Sequence, residues 1–225
     1  RKNRNLGIAA DKVEGVVLTH GHFDHCGLLP YLTKQGFTGN IWATPATRDL
    51  ASLIMMDSAK IQARDADYLR RQHQKKGQRF EWEPLYTEQD AIQATSQMLT
   101  VSYWRPVWIG DGIKLEFYDA GHILGSAIAM ITVTKGGRDL RFAFTGDLGR
   151  KNKPIIRDPD IVPAPDYVVL ESTYGDRLHE SQDDALDRLA ELARRALKER
   201  SKIIIPAFAV ERTQELVYYF HMLVD

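Results

Sequence analysis

Three histidines and an aspartate crowd into six residues, His20-Gly21-His22-Phe23-Asp24-His25, at the end of the largely apolar run Val13-Glu14-Gly15-Val16-Val17-Leu18. Imidazole nitrogens and carboxylate oxygens are ligands for zinc and its borderline neighbours. In an extended loop, side chains two apart leave the same face, so His20 and His22 are spaced to chelate one ion. Asp24 and His25 are offset from that pair and suit a second ion about 3.5 to 4 Å away, as in two-metal hydrolytic sites. Without a metal, four such side chains in one loop would cost desolvation with nothing to offset it. Cys26, next in line, reads as a small buried filler rather than a thiolate ligand.

A loop of this kind has to be carried on a framework, and the chain supplies one strand after another that ends in a polar residue. Ile113, Leu115 and Phe117 alternate with Lys114, Glu116 and Tyr118, the period of a half-buried strand, which runs into Gly121-His122-Ile123-Leu124-Gly125-Ser126. Residues 127–134 and 140–145 read as two strands joined by Lys135-Gly136-Gly137-Arg138-Asp139, and the second ends at Gly146-Asp147-Leu148-Gly149. Residues 166–170 form a further apolar strand that delivers Glu171-Ser172-Thr173. Four strands thus end in His20, His122, Asp147 and Glu171. Polar residues converging at strand ends mark the sites of open α/β sheets.

Helical segments are interleaved with these strands. Residues 27–36 predict a short helix closed by Gly36, and 41–44 a short strand. Pro45 opens a long helix to about Leu69. From Lys60 to Arg79 the cations Lys60, Arg64, Arg70, Arg71, Lys75, Lys76 and Arg79 face only Asp65 and Asp67; this is either a solvated surface or a contact for a phosphate backbone. Thr87 and Asp90 have capping-box spacing. Tyr103, Trp104 and Trp108 are expected in the core rather than as base-stacking platforms. Ser181 with Asp184 starts a helix whose apolar stripe is Leu186, Leu189, Ala193, Ala196 and Leu197. Ile203-Ile204-Ile205 predicts a strand, and a last amphipathic helix begins near Glu211. His73, His179 and His221 fall outside the cluster and are not expected to be ligands.

With 225 residues, 44% of them hydrophobic, the chain is long enough to bury the core of one large domain or of one domain and part of another. Thirty basic and thirty acidic residues cancel, so overall charge does not announce a nucleic-acid partner. One cysteine excludes an internal disulfide and fits a reducing compartment. No apolar run reaches the eighteen or so residues of a membrane span and no leader opens the chain, so a cytoplasmic protein with no membrane partner is expected.

These motifs resemble the metallo-β-lactamase superfamily and, within it, the β-CASP branch of nucleic-acid nucleases. His20-Gly21-His22-Phe23-Asp24-His25 is similar to the second superfamily motif, His122 in its glycine-flanked loop to the third and Asp147 to the fourth. Glu171-Ser172-Thr173-Tyr174-Gly175-Asp176-Arg177 is similar to the first motif of the β-CASP branch, where relatives acting on DNA usually carry aspartate and two threonines. The segment Pro206-Ala207-Phe208-Ala209-Val210-Glu211-Arg212-Thr213-Gln214-Glu215-Leu216 matches the β-CASP insert of bacterial and archaeal relatives of the cleavage and polyadenylation nuclease. The resemblance implies an α/β fold, an αββα sandwich lacking its first strands over residues 1–178, followed by the start of a β-CASP domain over 179–225. Family members begin further upstream and continue to two more histidines, so the chain is expected to be part of a protein roughly twice as long.

The activity so implied is hydrolysis of RNA phosphodiester bonds by a hydroxide activated by two zinc ions, with manganese or iron as other candidate metals. His20, His22 and His122 would hold one ion, Asp24 and His25 the second, and Asp147 would bridge them. Asp24 would orient the nucleophile or take its proton. Glu171 would orient the histidine that protonates the leaving oxygen, its alternative being a structural salt bridge. RNA is the expected partner, and a homodimer is left open. Rival readings are a hydrolase of small esters, lactones or β-lactams, a DNA nuclease on the same fold, and a scaffold protein.

Overall fold

A computed structural model describes residues 2–177 and 182–224. Ser181 and His179 lie outside the described residues. The chain divides into two compact units, one of residues 1–152 with 156–170 and one of residues 153–155 with 171–225.

The first unit is built on two sheets. Strands β1 (Gly15–Val17), β2 (Asn40–Ala43) and β3 (Met98–Thr100) form a parallel sheet in that order. Their crossovers are helices, as parallel pairing requires. They are α1 (Phe23–Cys26), α2 (Leu29–Lys34), α3 (Pro45–Lys75) and α4 (Glu88–Ser96). The second sheet has the order β4 (Val107–Gly110), β5 (Ile113–Asp119), β6 (Ala127–Lys135), β7 (Arg138–Phe144) and β8 (Tyr167–Val169). It is antiparallel except for β7 with β8.

Burial follows the alternation of side chains. Leu18, Cys26, Leu29, Phe37, Ile41 and Met55 make one core with the helices, on one face of the parallel sheet. Leu115, Phe117, Ala127 and Ala129 pack with Val17 and Trp42 between the sheets. Tyr118, Ile128, Met130 and Ala143 face the other way and pack with Leu148 and Val162. The resulting order is helices, sheet, sheet.

Several local expectations change. The six-residue metal motif is not extended throughout, since Phe23–Cys26 forms one helical turn and the predicted helix over 27–36 shortens to Leu29–Lys34. The long helix runs on to Lys75, begun by Thr44, whose hydroxyl caps the Thr47 amide, and by Pro45 in its first turn. Thr87 and Asp90 form the expected capping box. The hairpin loop tightens to Gly136-Gly137, both at positive φ, which matches the twist of the strands on either side. Tyr103 joins the inter-sheet core, but Trp104 is half exposed and Trp108 is 67% exposed, so the core assignment holds for Tyr103 alone. Trp108 sits in β4, which among the described residues pairs with β5 alone, and the residue is largely exposed.

In the second unit, α5 (Gln182–Glu199) turns Leu186, Leu189, Ala190, Ala193 and Ala196 to its more buried side, while Leu197 is exposed. Helix α6 spans Arg212–Val224. The predicted strand Ile203-Ile204-Ile205 does not form, because no strand pairs with it among the described residues and Ile204 is 91% exposed. Buried Glu215 accepts from Arg212 at 3.0 Å and lies 3.3 Å from Lys153 Nζ.

Candidate metal centre

The site is assembled from three loops of the first unit. Beyond β1, Leu18 still pairs with the backbone of Trp42, and the chain then releases into His20 and His22 before α1 begins. Beyond β5 comes the loop of His122, and beyond β7 the loop of Asp147. The sheet brings the last two together, since β5 and β7 both flank β6. Main-chain packing between these loops is tight. Gly149 donates its amide to Ala120, and a side chain at 149 would collide with the Gly121 carbonyl.

Nδ1 of His22 lies 3.2 Å from Nε2 of His20 and 3.1 Å from Nε2 of His122. Oδ2 of Asp147 lies 3.8 Å from the His20 nitrogen and 3.6 Å from that of His122. All four donor atoms fall within 4.8 Å of one another. Nitrogens about 2.0 to 2.1 Å from a tetrahedral ion stand about 3.3 Å apart, so the set has the span of a single coordination sphere. His25 adds a second direction, its Nε2 3.4 Å from the other carboxylate oxygen of Asp147. Asp24 is largely exposed, with its carboxylate 3.7 Å from His25 Nε2.

Electrostatics keep the site ready for a cation. Burial, reinforced by the neighbouring His25, His122 and His22, pushes His20 down from the ordinary 6.5 to about 2. It is therefore neutral at physiological pH, the form that ligates metal. Its Nδ1 lies 3.2 Å from the Thr19 hydroxyl; in the tautomer that donates to that hydroxyl, the Nε2 lone pair faces the cluster. Burial raises the Cys26 thiol to about 12, and Sγ donates to the Gly21 carbonyl, so Cys26 is a packed filler.

The residues fixing the His122 loop were not singled out by sequence. Ser126, fully buried, accepts the amides of His122 and Ile123 at 3.0 and 3.2 Å. Hydroxyls of Thr44 and Thr47, at the start of α3, both donate to the Gly125 carbonyl. Gly125 has φ +82, and a Cβ there would lie 2.6 Å from the Thr47 amide. Ser126 stands within the glycine-flanked motif, which was its one signal; Thr44, in the predicted strand over 41–44, and Thr47, in the opening of the predicted helix, carried none.

Glu171 follows β8 and belongs to the second unit. His73 is on α3, its Nδ1 bonded to the Leu69 carbonyl, and His221 is on α6.

Comparison with known families matches residues 1–207 to the family described as the metallo-beta-lactamase superfamily. The chain belongs to this superfamily. Within it, the chain is 31% identical over 221 residues to a ribonuclease of Thermus thermophilus, covering 98% of this chain and 46% of that protein. It is 34% identical over 209 residues to the transcription termination factor FttA of Pyrococcus horikoshii, covering 91% of this chain and 30% of the factor. Cleavage and polyadenylation specificity factor 73 of Drosophila melanogaster is 29% identical over 212 residues, covering 93% of this chain and 28% of that protein. The chain thus spans less than half the length of these curated relatives, whose names agree with the RNA-processing resemblance of the motifs. A metallo-β-lactamase chain with this histidine and aspartate cluster has the donor set of a divalent-metal site. No described helix is long and apolar enough to cross a membrane.

Proposed function

We propose that this chain carries the metal site of a zinc-dependent ribonuclease that hydrolyses RNA phosphodiester bonds in cytoplasmic RNA processing or decay. The observation carrying this reading is the convergence of His20, His22, His122 and Asp147, with His25 on the far oxygen of the same carboxylate. The names of the relatives direct it to RNA. His20, His22 and His122 would hold one ion, Asp24 and His25 the other, and Asp147 would serve both. Zinc held by these residues would supply a water whose pKa falls from about 15.7 to about 7 and positive charge to offset that developing on the phosphoryl group.

The chain's own residues have separate tasks. Asp24, exposed beside His25, is free to orient the attacking water and take its proton. Glu171 orients the group that protonates the departing 3′ oxygen, within a metallo-β-lactamase domain of residues 1–178 followed by β-CASP residues from 179 onward. The test is elemental analysis of the full-length protein beside cleavage of a labelled single-stranded RNA, for wild type and Asp147→Ala. Loss of about two zinc ions per chain together with cleavage supports the proposal. Metal bound without RNA cleavage in the wild type refutes the ribonuclease reading, and manganese or iron in place of zinc refutes the metal assignment. The mass of the same sample in solution distinguishes monomer from homodimer.

A further inference from the structure

Helix α3 does two different things along its length. Its first turns brace the metal loops through Thr44, Thr47 and the backbone beside Gly21. Its inner face is then occupied by Ala51, Met55, Ala59 and Ala66, all buried. At 100° per residue, Lys60, Arg64, Arg71 and Lys75 fall within an arc of about 60° on the opposite side, and all four are exposed. Tyr68, 63% exposed, lies beside this arc. The line is about 22 Å long at 1.5 Å per residue and starts about 20 Å from Thr47.

The acids in this segment do not neutralise the line. Asp67 lies at the edge of the arc but is held by Arg70 at 2.6 Å, and Asp65 projects to another side of the helix. None of the four cations has a carboxylate partner among the described residues. The stripe begins one turn beyond Asp57. Along the helix axis these positions are offset by about 6 Å within each pair, inside the screening length of physiological salt, and by about 10 Å between the pairs, just beyond it. A small anion would meet only one or two of these charges at a time. An extended polyanion meets all four, and an exposed aromatic ring among them offers a base a stacking surface.

We infer that this face of α3 is a docking track for single-stranded RNA, binding the substrate's backbone several nucleotides away from the bond cut at the metal centre. It rests on the ribonuclease reading and adds to it a second contact region of the same substrate. Cations track the phosphates without sequence preference, while Tyr68 stacks on one base.

The experiment is fluorescence anisotropy of a labelled single-stranded RNA with the full-length, metal-loaded protein across a salt series. The variants are Lys60→Ala/Arg64→Ala/Arg71→Ala/Lys75→Ala, Tyr68→Ala, and a charge control, Lys135→Ala/Arg138→Ala, in the exposed hairpin. Each phosphate contact contributes about 0.7 to the slope of log affinity against log salt, so the fourfold variant is expected to lose about 2.8 from that slope. Tyr68→Ala is expected to weaken binding about tenfold with the slope unchanged. Metal content and cleavage of a dinucleotide substrate too short to reach the track should match wild type, which also shows that the variants fold. An unchanged slope in the fourfold variant, or an equal fall in the hairpin control, overturns the track while leaving the ribonuclease reading intact. Wild-type protein that neither binds nor cleaves RNA refutes both.

Discussion

Asp147 turns its two carboxylate oxygens to different histidines, Oδ1 to within 3.4 Å of His25 and Oδ2 to within 3.6 Å of His122. A carboxylate divided in this way is suited to stand between two ions, and the two sides can be separated experimentally. His25→Ala is expected to retain about one metal ion per chain where wild type retains about two, whereas Asp147→Ala loses both. Elemental analysis after exhaustive dialysis reads the difference. Equal loss in both variants would contradict a divided carboxylate.

The environment of His20 makes the metal-free protein sensitive to acid. Its folded-state value of about 2 lies below the ordinary 6.5, so between those values the unfolded chain binds the extra proton. Stability therefore falls as pH drops below about 6.5, and above it His20 contributes no pH dependence. Denaturant midpoints of the metal-free protein at pH 7 and pH 5 should differ more for wild type than for His20→Gln. A difference of the same size in both would place the acid sensitivity elsewhere.

Thr19 reaches Nδ1 of His20, the ring nitrogen away from the cluster, and would tune a metal held at Nε2. Such partners are worth about tenfold to hundredfold in metal affinity, and Thr19→Val should weaken binding by that amount with little change in fold. Competition with a chromogenic chelator, read beside the circular dichroism spectrum, tests this.

Ser126 satisfies two backbone amides with one buried oxygen. Ser126→Ala removes the oxygen that both amides share and should cost about 1 to 3 kcal/mol of stability. Urea unfolding measures it, and a cost well under about 0.5 kcal/mol would mean the loop is held by the Thr44 and Thr47 hydroxyls instead.

Cys26 is expected to resist thiol reagents in the native protein, because its thiol is fully buried and raised to about 12. Cys26→Ala should keep full metal content at a stability cost of about 1 kcal/mol. Rapid modification with loss of metal would instead make Cys26 a ligand.

The two-residue step from His20 to His22 and the polar residues after each apolar run are local patterns, so the amino-acid sequence by itself determined which side chains could ligate and which strands carried them. The capping box of Thr87 and Asp90 was readable for the same reason. Convergence was decided by tertiary structure. His22 and His122 are a hundred positions apart, and they meet because the His20 loop leaves a parallel sheet while β5 and β7 flank β6 in another. Pairing across strands also decided where local pattern failed. Ile203-Ile204-Ile205 has the composition of a strand but no strand partner among the described residues, and Trp108 has a core residue's chemistry on the outward side of β4. Side-chain alternation and capping act between near neighbours in the chain, whereas a ligand sphere and a sheet need partners brought from far along it, and that placement exists only once the sheets have packed.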